Sequence, residues 1–352
     1  MFDIPDWPYS LGKPEAQGVI RCEPEDFMVE EIPRIEPSGE GGHLWLWVEK
    51  CSANTDWVAG QLAKIGGCRH RDVGYAGLKD RHAVTRQWFS VPAPEAGPEV
   101  FSNASIDGVQ VLGRQLHHRK LKRGTLDGNR FRLVIRDLDG DAADLTRRLE
   151  RVRADGVPNY FGPQRFGRDG RNVEQGFRLL AGNARLPRNK KSIYLSALRS
   201  FLFNQVLALR VQAGSWNSML DGELAMLDGT HSIFPCELPD TDIEDRCHHL
   251  DIHPTGPMPG EGGDGPSGEA AALERGVLEH WHELVDVLVK QRVQASRRAL
   301  RLYPAGLEWQ IEGDVLQLAF TLPPGAYATT VLREILVLSE ADRMMKKSVN
   351  RP

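Results

Sequence analysis

The alternation of apolar residues changes character twice along this 352-residue chain, and that double change limits what it can fold into. Up to about Gly140 the apolar runs are short and strand-like, as in His43–Val48, Gln110–Leu112 and Arg130–Ile135, where Phe131, Leu133 and Ile135 share one side. One helix interrupts them, with Asn54 or Thr55 as its cap, Trp57, Val58, Leu62 and Ile65 on one face and Gly66-Gly67 as its stop. From Asp141 the period becomes helical: Leu145, Leu149 and Val152 come first, then helices are predicted over 172–180, 192–211 and 270–302. Residues 254–269, rich in proline, glycine and acids, are predicted to be a mobile loop. The last fifty residues return to strands, a hairpin of Leu307–Ile311 and Val315–Leu322, followed by a closing helix over 329–338. A β-rich start, a helical middle and a β-rich end predict an α+β protein in which one domain is inserted into another. The length suffices for two cores.

The formal net charge of −4 conceals a segregation. Arg114–Arg136 carries eight Lys/Arg and one acid, Asp127, and a second basic stretch runs over 165–191. Residues 221–286 instead hold sixteen Asp/Glu and only Arg246 and Arg275 as cations. A basic face for a polyanion fits this distribution, as does a set of solvated surface charges. No apolar run approaches the length of a membrane span, and the opening residues lack the pattern of a secretory signal. Five scattered cysteines without CxxC spacing suit a reducing cytoplasm.

Three segments could carry chemistry. In Gly77-Leu78-Lys79-Asp80-Arg81-His82-Ala83 a single carboxylate stands among Lys79, Arg81 and His82. Such a group would stay ionised and could serve as nucleophile or general base; an aspartate capping a turn explains the same residues. Gly124–Phe131 offers two glycines for close backbone approach, Asn129 for hydrogen bonding and Phe131 for stacking, or else a glycine-containing hairpin with Phe131 buried. Asn159-Tyr160-Phe161-Gly162-Pro163-Gln164-Arg165-Phe166-Gly167 suits a surface that stacks on bases and contacts phosphate, or a loop that packs its aromatics inside. Cys236, Cys247, His248, His249 and His253 match no compact zinc spacing, so no metal is expected. P-loop, HExxH and GxSxG signatures are absent.

Taken in order, these segments resemble the tRNA pseudouridine synthase D (TruD) family. The resemblance is carried by Pro24–Glu30 (PEDFMVE), the GLKDRHA loop, Lys120–Gly124 with Gly128–Phe131, Val157–Gly167 (VPNYFGPQRFG), Ser196–Gln205, and Pro324–Thr329 with Leu332–Glu334. It implies a pseudouridine synthase catalytic domain with a mixed or antiparallel sheet, formed by 1–154 plus 304–352. An α/β TRUD domain, 155–303, would be inserted into it. It also implies an enzyme that isomerises uridine, at position 13 of tRNA, through a flipped-out base. Asp80 would be catalytic, Lys79 and Phe131 supporting, and Phe27, Asn129 and Tyr327 in contact with the nucleotide. Tyr327 replaces the family's usual phenylalanine and brings a hydroxyl that needs a partner. Arg119, Lys120, Lys122, Arg123 and Arg165 would hold the RNA backbone. The partner is tRNA; no cofactor, no metal and no membrane are expected, and the protein is expected to be a cytoplasmic monomer. The competing readings are a non-catalytic RNA binder and a hydrolase that releases free uracil.

Overall fold

The computed structural model describes residues 4–102, 105–182 and 184–341. The chain divides into two compact units. The first comprises Glu15–Ala142, Pro304–Gly325 and residues 336–341; the second comprises residues 4–14, Ala143–Tyr303 and Ala326–Ile335. Compared with the expected insertion of 155–303, the second unit also takes in helix Ala142–Asp155 apart from its first residue, the segment before Glu15, and Ala326–Ile335. The reason lies in Arg148, which donates from that helix to the carbonyls of Gly12 at 3.0 Å and Glu334 at 3.2 Å, tying three distant segments together.

The first unit is built on one mixed sheet, whose strands are numbered here along the chain: β1 Gln17–Ile20, β2 Phe27–Pro33, β3 His43–Cys51, β4 Gly74–Tyr75, β5 Val84–Pro92, β6 Val109–His117, β7 Leu126–Asp139, β8 Ala305–Glu312, β9 Val315–Leu322 and β10 Val337–Glu340. The spatial order is β8-β9-β7-β2-β5-β3-β6, with β1 between β7 and β10 and with β4 on β5. Among the described residues of this sheet, only β2–β5 and β1–β10 are parallel. Alternation builds the sheet's buried face: Phe131, Leu133 and Ile135 point inward along β7, and Leu44, Leu46 and Val48 along β3. Helix Thr55–Ile65 covers β3 and β5 with Val58, Ala59 and Leu62, all fully buried. Gly128 belongs to this packing. A Cβ there would lie 2.6 Å from the carbonyl oxygen of Leu322 on β9, so the glycine admits a strand rather than a ligand.

The second unit centres on helix Arg188–Gln212, packed against helices Arg171–Ala181, Gly268–His280 and His282–Lys290. A four-stranded antiparallel sheet, in the order Ile233–Cys236, Glu223–Leu227, Ile252–Met258, Ser296–Ala299, completes it. By length and composition helix Arg188–Gln212 could span a membrane, against the expectation from apolar runs. Much of its apolar surface is engaged within the unit, where Ala197, Leu198, Leu202, Phe203 and Leu207 are fully buried, while Ile193 and Leu209 are exposed.

Three expectations are corrected. Residues 254–258 of the expected loop form part of a buried strand; Gly256 is required there because a Cβ would meet Leu300 Cδ2 at 2.7 Å and Phe203 Cε2 at 3.0 Å. The helix expected over 270–302 breaks at Trp281 and ends at Lys290, after which Ser296–Ala299 and Arg301–Leu302 are strands. Arginines there that favour a helix locally are held in strands by buried partners: Arg297 meets Glu274, and Arg301 donates to His253. The closing helix is only Ala328–Leu332, and residues from Val337 instead pair with β1.

Candidate active site

The loop between β4 and β5 is held at successive points by buried polar side chains. Gln87, on β5, donates Nε2–H to the Gly77 carbonyl at 3.0 Å. Thr55 Oγ1 accepts the Lys79 N–H at 3.0 Å and donates to Gln87 Oε1 at 3.3 Å. Thr55 opens its helix, yet its hydroxyl serves the loop instead of the helix end, and Asn54 at the cap position makes no side-chain capping bond. Lys50, on β3 and fully buried, donates Nζ–H to the Asp80 carbonyl oxygen at 2.8 Å. A segment clamped this way displays a side chain in one place with little reorganisation.

That side chain is Asp80. Its Oδ1 accepts the His82 N–H at 3.0 Å, closing a turn, and its Oδ2 accepts from Arg21 Nη2 at 2.6 Å. The carboxylate is 39 % exposed and so remains accessible from solvent. Arg21 was not singled out by sequence. It stands in a left-handed backbone conformation (φ 64°), donates a second bond to Glu340 at 2.6 Å, and lays its guanidinium 4.3 Å from the centre of the Phe27 ring. Asp80 thus closes a turn through Oδ1 and meets a cation through Oδ2.

Lys79 lies elsewhere in the network. Its ammonium is buried and pairs with Glu31 on β2 at 3.1 Å and with Asn129 Oδ1 on β7 at 2.5 Å. Burial pushes the Glu31 carboxyl up and the Lys79 ammonium down, each opposed by the partner's charge. A lysine only donates, so Asn129 must present Oδ1 to it; the two N–H groups of the amide are left without a protein partner among the described residues. Phe131 lies on the buried face of β7, edge-on to Phe27 at 6.3 Å and stacked on Phe320 at 5.5 Å. Together Asp80, Arg21, Phe27, Phe131, Asn129, Lys79, Glu31 and Lys50 join carboxylate, cation, aromatic and amide groups within one unit.

Glu31, Lys50 and Gln87 left a signal that sequence reading passed over. Each continues the inward phase of a strand: Phe27-Val29-Glu31, Leu44-Leu46-Val48-Lys50, and Gln87-Phe89-Val91. Charged or amide residues in that phase must find partners, and such groups are candidates for a site. Burial depresses Lys50 from an ordinary value of 10.5 to about 8, with Lys79 adding to the shift and Asp80 opposing it. Between those values the folded state holds fewer protons than the unfolded chain, so this lysine makes stability rise with pH. Relative to Lys50→Met, the wild type should therefore gain stability as pH rises from about 8 to 10.5, read by urea unfolding of both proteins across the window. A pH-independent difference would contradict the assigned burial.

Arg119, Lys122 and Arg123 are exposed, and Lys120 partly so. Arg123 stacks over Tyr75 at 3.8 Å, and Lys120 donates to the Arg71 carbonyl at 2.6 Å. None of the four pairs with a carboxylate among the described residues, which leaves their charge available to an anion. Tyr327 and Arg165 belong to the second unit, where Arg165 Nη2 donates to the Tyr327 hydroxyl at 3.2 Å. The tyrosine hydroxyl therefore has its partner. His253, considered with the cysteines, has both ring nitrogens engaged: Nδ1 accepts from Arg301 at 3.0 Å and Nε2 meets Asp228 at 2.8 Å.

Comparison with solved structures places this fold beside a Methanosarcina mazei protein provisionally described as tRNA pseudouridine synthase D, with a TM-score of 0.71 over 93 % of this chain and 95 % of that one. At 22 % identity that likeness defines the class of fold, an α+β pseudouridine synthase fold. The sequence matches the tRNA pseudouridine synthase D (TruD) family over residues 7–185 and 173–335. It is 48 % identical to a tRNA pseudouridine synthase D of Methylococcus capsulatus, covering 94 % of each chain, and 46 % identical to one of Nitrosococcus oceani, covering 95 % of this chain and 94 % of that one. A Xanthomonas campestris protein of the same name is 43 % identical over 99 % of both. The chain belongs to the TruD family, which makes it an isomerase of the pseudouridine synthase class acting on tRNA.

Proposed function

We propose that this protein converts uridine 13 of tRNA to pseudouridine, with Asp80 as the essential carboxylate and the β-rich unit as its catalytic domain. The helical unit is the inserted TRUD domain on this reading. The reaction breaks the N1–C1′ bond, turns the uracil and joins C5 to C1′; N1 gains a proton and C5 loses one, so no atom or electron is exchanged with a cofactor. The observation that carries the reading is the accessible Asp80 carboxylate, oriented by the His82 N–H and Arg21 on a loop latched by Gln87, Thr55 and Lys50. A carboxylate so held serves attack at C1′ or removal of the C2′ proton, the two routes to a base freed from its sugar bond. The Arg21 guanidinium pairs with the carboxylate at 2.6 Å and fixes where Oδ2 stands.

The base must leave its stack to be reached. Phe27 and Phe131 supply apolar walls, and the unpartnered amide N–H groups of Asn129 suit a uracil carbonyl. Arg119, Lys120, Lys122 and Arg123 supply phosphate contacts.

Carbodiimide-dependent primer extension on an unmodified tRNA transcript tests the site of modification. One new stop at uridine 13, with all uracil retained on the RNA, is the expected result. Stops only elsewhere would move the target position; free uracil would make the protein a hydrolase, and no modification would leave it a binder.

A further inference from the structure

Two arginines of the second unit meet at one aromatic ring with no acid between them. Arg298, in strand Ser296–Ala299, lies 4.2 Å from the centre of the Phe161 ring and 5.7 Å from that of Phe203. Its Nη2 donates to Asn159 Oδ1 at 2.6 Å. Arg165 approaches the same Phe161 ring at 5.4 Å and donates to Ser196 Oγ at 3.0 Å as well as to Tyr327. Every side-chain partner of the two guanidiniums is neutral: an amide, two hydroxyls and aromatic faces.

The neighbouring residue supplies the contrast. Arg297 is neutralised by Glu274 through two bonds of 2.6 and 2.8 Å, and buried Arg210 by Glu223 at 2.6 Å. Among the described residues no carboxylate comes within ion-pair distance of Arg298 or Arg165. The Nε of each is buried without a hydrogen-bond partner. Desolvation pushes Arg298 down to about 10, and the like charge of Arg165 acts in the same direction while Tyr327 opposes it. A guanidinium has five N–H donors, and these two make one and two side-chain hydrogen bonds respectively. Two adjacent, partly desolvated cations with unused donors are stabilised by an anion, and the planar fork of arginine matches phosphate oxygens.

We propose that Arg298 and Arg165 form an anion subsite, framed by Asn159, Ser196 and Tyr327, that takes a backbone phosphate of the RNA. The identity of the anion rests on the tRNA reading; the existence of the subsite does not. Inorganic phosphate is the first probe. At ionic strength matched with chloride, phosphate should raise the unfolding temperature of the wild type more than that of Arg298→Met or Arg165→Gln, with Arg298→Lys keeping part of the effect. Equal phosphate shifts in wild type and in the variants that fold would overturn the subsite, and Arg165→Gln and Arg298→Lys keep the test decisive if Arg298→Met fails to fold. The second probe is an unmodified tRNA transcript bound across a salt series. Arg298→Met should weaken binding about tenfold, the loss of a charge-assisted contact. It should also reduce the slope of log affinity against log salt by about one. A phosphate effect with unchanged tRNA affinity and slope would overturn the RNA assignment. Failure of the wild type to modify tRNA at all would count against the proposed function, while the inorganic phosphate comparison still decides the subsite.

Discussion

Asp80→Asn is expected to lower the rate of pseudouridine formation by about a thousandfold or more, while leaving the fold intact and tRNA affinity within a few-fold of wild type. The amide has the shape of the carboxylate and can still accept the His82 N–H through Oδ1. What it loses is the negative charge beside Arg21, and with it both nucleophilicity and basicity. The loop should not move, because its clamps from Gln87, Thr55 and Lys50 bind backbone groups that the substitution leaves in place. Single-turnover rates with enzyme in excess separate chemistry from binding. An Asp80→Asn protein that turns over at the wild-type rate would remove Asp80 from the mechanism; one that neither binds tRNA nor unfolds cooperatively would make Asp80 structural.

The largest expected effect on stability comes from Glu31. Glu31→Leu leaves the Lys79 ammonium buried without its counter-charge, since the two side chains are only 1 % and 5 % exposed. Breaking a buried pair from one side costs about 3–5 kcal/mol, part of which Lys79 escapes by giving up its proton. The double variant Glu31→Leu/Lys79→Met removes both charges and should recover much of that loss, because no unpaired charge remains. Urea unfolding of the four proteins reads the cycle. Additive losses in the double variant would show that the pair is not coupled. The cycle also bears on the site, because Lys79 sets which end of the Asn129 amide faces outward.

How much was legible beforehand follows from how local each signal is. Asp80 stood out as a candidate because its turn and its cationic neighbours lie within seven consecutive residues. The large sheet was legible for a similar reason, since alternation along β7 and β9 marks strands without knowledge of their partners. Arg21 was not, because it meets Asp80 from 59 residues away and no spacing ties the two together. Glu31, Lys50 and Gln87 fall between these cases: the alternation placed them on a buried face, but only the folded sheet shows that all three serve one loop and its neighbours. Composition misled where packing decides. Pro254, Gly256 and Pro257 read as loop formers, yet Gly256 is a close-packing position against Phe203 and Leu300. The run from Ser296 to Leu302 reads as helix until Glu274, from helix Gly268–His280, and His253, from strand Ile252–Met258, give its arginines partners.

Joining C5 of the base to C1′ must release the hydrogen on C5, whereas binding alone or simple hydrolysis releases none. A tRNA transcript carrying tritium at C5 of its uridines therefore tests directly whether this protein isomerises uridine by means of Asp80. The wild type should release tritium to water, one equivalent per modified uridine and with no free uracil, and Asp80→Asn should release none over the same time. Tritium release by Asp80→Asn at the wild-type rate, or labelled uracil in place of labelled water, would contradict the account.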